Sequence, residues 1–217
     1  MRFAVILLVC LIQLPFPAAR AAVLIEMIVG TEAVRVVIDR PQQRVLFAAG
    51  DRRTWFDLNG GLVYHREGDA PARRAHARYR PGHDWPPPYR IERFGPGPIV
   101  AGQASTYQVL FVDDRICAEM MLSEWMLPFV DPAIRTVALI QQLRGVRHDD
   151  PCANVPFTTH AAPGWPLLAG KADRPTLATR TIAFDYHPSN PEELTPPETA
   201  IEVPAEALQS ALGSYGW

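Results

Sequence analysis

Twenty-two prolines, seventeen of them in two stretches of a 217-residue chain, limit what this sequence can fold into. Between Ala22 and Ala70 there is one, Pro41; seven follow from Pro71 to Pro98 and ten more from Pro151 onward. Proline has no N–H to donate to a ladder, and its ring clashes with the preceding helical turn. A long helical bundle or coiled coil is therefore excluded, and regular structure is expected in the proline-poor blocks. At 48% apolar and 20% charged the chain has enough apolar content to bury one core. A net charge of −2 and a pI near 6.3 leave no electrostatic footprint for nucleic acid.

The first residues read as an address. Met1-Arg2 is a short positive start, Phe3 to Leu14 an almost unbroken apolar run, and Ala19-Arg20-Ala21 places small residues before Ala22. That is the layout of a secretory signal peptide spanning 1–21, cleaved before Ala22. The competing reading is a membrane anchor, but about twelve apolar residues fall short of the roughly 20 needed to span a bilayer. Cleavage predicts a periplasmic protein of one domain, 22–217, without a transmembrane helix. It also removes Cys10 and leaves Cys117 and Cys152, which read as a disulfide in an oxidising compartment. The alternative, a thiol nucleophile near His148, lacks a third residue spaced to orient it.

The proline-poor block alternates with period two, the pattern of half-buried strands. Val23, Ile25, Met27 and Val29 share a face; so do Val34, Val36 and Ile38, then Val45 and Phe47, then Thr54, Phe56 and Leu58. Gly30-Thr31, Arg40-Pro41-Gln42, Gly50-Asp51 and Asn59-Gly60-Gly61 supply the turns. Short turns join antiparallel neighbours, so this block predicts a β-meander. Residues 66–98 lose the alternation and predict an irregular arginine- and proline-rich crossover loop. Strand pattern is expected to resume at Ile99; Tyr107, Val109 and Phe111 alternate up to a turn at Asp113-Asp114, and Ile116, Ala118, Met120 and Leu122 alternate after it. Asp131-Pro132 predicts the start of a helix over 132–145, apolar at Ile134, Val137, Ala138, Leu139, Ile140 and Leu143. So little of its surface is polar that it is expected to lie across a sheet. A long strand from Leu177 to Tyr186, a proline-rich tail and a short helix near Ala205–Leu212 complete the reading. The fold class is α+β, mainly β: a curved antiparallel sheet with one or two covering helices.

Catalytic patterns are missing from the sequence. There is no Gly-x-Ser-x-Gly elbow, no His-Glu-x-x-His, no Cys-x-x-Cys and no phosphate-cradling glycine loop. His148-Asp149-Asp150 is the best metal candidate, yet adjacent residues rarely converge on one ion. Asp113-Asp114 and Glu119 with Glu124 read more simply as solvated turn and strand residues than as acid–base pairs. No cofactor or metal is expected, and a hydrolase stands as the least supported reading.

One cluster suggests a ligand. Met120, Met121, Trp125, Met126 and Phe129 bring three of the five methionines close together beside two aromatics. Flexible thioethers and rings form adaptable apolar surfaces; the competing reading is core filling between sheet and helix.

Several short stretches carry a resemblance: Val34 to Asp39, Arg53 to Leu58, Ala101-Gly102-Gln103 leading to Tyr107-Gln108-Val109, Cys117-Ala118-Glu119, and Gly164-Trp165-Pro166-Leu167. Their order across most of 23–186 resembles exported bacterial proteins similar to lipoprotein-sorting carriers of the LolA and LolB type. The resemblance implies a half-open antiparallel barrel covered by helices, with an apolar interior and no catalytic residues. The expected function is binding of an acyl chain or lipoprotein anchor on the concave face. The alternative is an envelope scaffold that meets a protein partner through the arginine-rich loop 66–93.

Overall fold

The computed structural model describes residues 22–80, 89–144, 152, 164–171, 174–190 and 193–213. The expected signal peptide lies outside them. The described chain is mainly β, with twelve strands in one open, mixed sheet and two helices.

Strands β1 (Ala22–Val29), β2 (Glu32–Asp39), β3 (Arg44–Ala49), β4 (Arg52–Asp57), β5 (Leu62–Glu67) and β6 (Arg73–His76) follow one another as an antiparallel meander. A second meander runs through β7 (Tyr89–Pro96), β8 (Thr106–Val112), β9 (Arg115–Ser123), β10 (Trp165–Lys171) and β11 (Arg174–Tyr186). The two halves join where β11 lies antiparallel to β1, with Ile25 opposite Ile182. β12 (Ile201–Glu202) returns to pair parallel with β6, so the order runs β12-β6-β5-β4-β3-β2-β1-β11-β10-β9-β8-β7. β7 and β12 are the free edges of this unclosed sheet.

Turn chemistry sets several of these connections. Gly30, Gly50 and Gly61 take positive φ at the tips where the sequence places them, and Asp113 and Asp114 hold φ of 47° and 62° between β8 and β9. Two successive positive φ values match the primed turn that suits a twisted hairpin.

Helix α1 (Leu127–Arg144) crosses one face, here the inner face. Val130, Ala133, Val137 and Ile140 are fully buried in a single cluster with Val23, Ile25, Val36, Phe47, Phe56 and Leu110 from the strands. The helix begins five residues before the Asp131-Pro132 start that the sequence predicts. The Met126 carbonyl accepts from both Phe129 and Val130 (2.8 and 3.1 Å), which opens the first turn ahead of the proline. Pro132 then removes only one early hydrogen bond, a loss that a helix beginning tolerates better than its middle.

Residues 66–98 are not the continuous irregular loop that their composition suggests. The segment contains the end of β5, all of β6 and all of β7. Pairing with β5 and β8 satisfies the backbone where side-chain alternation is absent. Pro96 falls on the outermost strand, where a missing N–H costs no ladder bond. Strand β10 is likewise hidden in the sequence, because Pro166 interrupts it; the register against β9 shifts between Pro166 and Leu168.

The first meander is also buried on its outer face. Leu24, Val37, Leu46 and Trp55 form a second cluster beneath Leu194 and Tyr186. Residues 193–200, from the proline-rich tail, form a strap over this face. Beyond β12 the chain turns through a 3-10 segment, Ala205–Leu208, into α2 (Gln209–Gly213), and Leu208 and Leu212 join the inner core. Arg144 at the end of α1 donates to the Leu212 carbonyl at 2.9 Å. The tail therefore passes from the outer layer around the β6 edge to the inner one.

Cys117 on β9 is disulfide-bonded to Cys152, with Cα atoms 5.0 Å apart. A bonded pair is compatible with a secreted or periplasmic protein. No helix among the described residues is long and apolar enough to cross a membrane.

Candidate functional site

The five residues singled out as a ligand-binding cluster occupy three environments. Met120 and Met126 are sealed in the inner core, at 1% and 0% exposure. Met121 points the other way on β9, as strand alternation requires, and its sulfur lies beside Gly97 and Ser105, where a Cβ on Gly97 would come within 2.9 Å of it. Trp125 and Phe129 stand at the rim, where the chain leaves β9 and enters α1.

At that rim the structure adds a residue the sequence gives no reason to choose. Phe184 of β11 lies 5.1 Å from the Trp125 ring and 4.9 Å from that of Phe129, and the Trp125 and Phe129 centroids are 5.6 Å apart. Tilted and edge-on geometries at these distances are favoured for aromatic pairs. Trp125 nevertheless stays 47% exposed. The Arg40 guanidinium sits 5.3 Å from the Phe129 centroid, within cation–π range.

Beside the triad, a hollow of about 500 Å³ opens between the β2–β3 turn and the first turns of α1, lined by Arg40, Pro41, Gln43, Pro128, Asp131 and Pro132. Arg135 ties this end of the helix down: it pairs with Asp131 at 2.9 Å and donates to the Gln43 side chain. The rim is thus an apolar aromatic surface beside a polar clasp that links α1 to the sheet.

Of the seven arginines expected to form a free basic surface over 66–93, three have carboxylate partners within the fold among the described residues. Arg74 pairs with Glu202 at 3.2 Å and Arg93 with Glu124 at 3.2 Å. Arg90 pairs with Glu92 and, at 3.5 Å, with Asp114. The Arg80 backbone exchanges hydrogen bonds with the Gln142 side chain of α1 at 3.2 and 2.7 Å.

Among the histidines, His65 is buried at 1% exposure on the inner face, with Nδ1 2.9 Å from the Thr54 hydroxyl. Burial, reinforced by the Arg73 guanidinium, pulls its pKa below the ordinary value. His76 and His187 are outlying, beside Glu202 and Asp185. His148-Asp149-Asp150 lies outside the described residues, and among those described no group of His, Cys, Asp and Glu is placed to hold a metal.

No protein-family model matches this chain, and no curated protein matches it.

Proposed function

We propose that this chain is an exported, non-enzymatic binder of a hydrophobic ligand, an acyl chain or lipoprotein anchor, in the manner of LolA- and LolB-type carriers. The observation that carries the reading is the rim. An unclosed sheet presents an apolar inner face, α1 covers it, and a half-exposed tryptophan packs against both Phe129 and Phe184 where that helix begins. One exposed and two half-buried aromatics at the mouth of an apolar layer suit a ligand that arrives from water and ends in the core.

A tail lodging on the inner face must displace the first turns of α1, whose Val130 and Ala133 are buried against it. Each methylene buried in their place returns about 0.8 kcal/mol. The clasp of Arg135 with Asp131 and Gln43 is the polar link that such a movement breaks. The leader-like first residues and the disulfide support the reading of an exported, periplasmic protein. The pairing of Arg74, Arg90 and Arg93 within the fold takes three of the seven arginines on which a scaffold acting through 66–93 would draw.

Native mass spectrometry of the mature protein, purified from a periplasm without detergent, tests the proposal. The expected spectrum carries a reproducible extra mass that vanishes on organic extraction and is depleted in a Trp125→Glu variant. A bare mass for the unaltered protein overturns it.

A further inference from the structure

The outer face holds a second, separate feature. Beneath the strap lies a groove of about 720 Å³, floored by Leu46, Trp55 and the arginines of β4 and β5 and roofed by Pro196 and Pro197. A neighbouring hollow of about 550 Å³ shares Arg53, Arg66 and Pro197 with it. Both hollows therefore meet at the same two guanidinium-bearing residues.

Arg53 and Arg66 stand directly opposite each other on β4 and β5. Like charges at opposed positions of a sheet repel. Other arginines of this meander have carboxylate partners: Arg35 pairs with Glu193, Arg44 with Asp57 and Arg52 with Glu32. Among the described residues, no carboxylate comes within ion-pair distance of Arg53 or Arg66. Asp51, Asp69 and Glu198 line the two hollows without reaching them, and Glu193 is taken by Arg35.

Of the two arginines, Arg53 is exposed and Arg66 half-buried over the floor. Trp55 is only 4% exposed, and its ring lies 5.6 Å from the Arg66 guanidinium, which orients that cation. Arg66 Nε and Trp55 Nε1 are buried without hydrogen-bond partners. The opposed cation pair and the two buried donors thus have no ion-paired acceptor of their own among the described residues, although carboxylates line the same hollows.

The geometry points to an oxyanion site at Arg53 and Arg66, taking a phosphoryl or carboxylate group. Two guanidinium groups can each offer paired N–H donors to such a group, the arrangement that makes arginine selective for planar or tetrahedral oxyanions. The group is borne by a small soluble molecule or by an anionic lipid headgroup. This site is on the opposite side of the sheet from the aromatic rim and stands or falls independently of it.

Calorimetry and thermal shift at constant ionic strength, with inorganic phosphate, acetate and chloride, test the site. Co-sedimentation with phosphatidylglycerol and phosphatidylcholine vesicles runs in parallel. Saturable binding of phosphate or acetate over chloride is expected for a soluble ligand; capture by phosphatidylglycerol vesicles alone is expected for a headgroup. In either arm, Arg53→Gln and Arg66→Gln each weaken binding about tenfold or more, the effect of losing a charge-assisted hydrogen bond. Without ligand, the double variant is at least as stable as the parent, because the repulsion is gone. Equal responses to all three anions with no vesicle preference overturn the proposal. So does binding that survives in the double variant.

Discussion

Glu193 accepts from Arg35 at 3.0 Å across 158 residues of chain, and its other oxygen accepts from the Tyr186 hydroxyl at 2.8 Å. Arg35 also donates to that hydroxyl and lies 5.2 Å from the Tyr186 ring centroid. One carboxylate thus fastens the strap to β2 and to the end of β11 together. Burial alone would lower the Arg35 pKa, but Glu193 outweighs it and leaves it raised. Burial and the bond to Glu193 raise that of Tyr186.

A double-mutant cycle of Arg35→Leu and Glu193→Gln measures this fastening. The side chains remain 35% and 22% exposed, so solvent screens part of the attraction. The expected coupling is about 1 kcal/mol in denaturant unfolding. Additive single effects would show that the strap is held by apolar contact alone.

His65 predicts an acid sensitivity. Its folded pKa is lowered from 6.5, so below that value the unfolded chain takes up a proton that the folded chain refuses. Stability contributed by the neutral ring is complete above the unfolded pKa and declines as pH falls toward the folded one. Thermal unfolding at about pH 7.5 and about pH 5 should show a larger loss for the parent than for His65→Gln. Parallel losses in both proteins refute the assignment.

The Cys117–Cys152 bond closes a sequence separation of 35 residues. In the chain-entropy treatment such a crosslink contributes about 4 kcal/mol by restricting the unfolded chain. Intact mass two hydrogens below the reduced chain, and a fall in stability of that order for the Cys117→Ala/Cys152→Ala pair, are expected. A double variant as stable as the parent would contradict the treatment.

The methionines separate by depth. Met126→Ala empties a fully buried position and should cost about 2–5 kcal/mol. Met121→Ala, on the other face and partly exposed, should cost roughly 1 kcal/mol. Chemical denaturation of the two variants distinguishes core filling from surface; equal costs would mean that the cluster is one environment after all.

Much of the first meander was legible because its signals are local. Val34, Val36 and Ile38 alternate, Gly30 and Gly50 mark turns, and antiparallel neighbours follow from short connections. The tail helix near 205–212 and the strand ending at Tyr186 were legible for the same reason. β6, β7 and β10 were not, since their backbones are satisfied by neighbours rather than marked by their own side-chain pattern. The two-sided burial of Val36 and Val37 was hidden as well, because the strap that covers the second face lies more than 150 residues away.

The candidate site divides along the same line. Trp125 and Phe129 are four residues apart and were found together; Phe184 joins them only because β11 returns past the start of α1. The order of residues was enough to specify alternating strands, turns at glycine and aspartate, an apolar helix and a cysteine pair, all of which depend on near neighbours. It took the folded sheet to pair β11 with β1, to set Arg53 against Arg66 under the prolines, and to sort five clustered apolar residues into core, outer face and rim. Register and face are settled by which distant surfaces exclude water from one another, and that free energy does not exist until the chain has closed on itself.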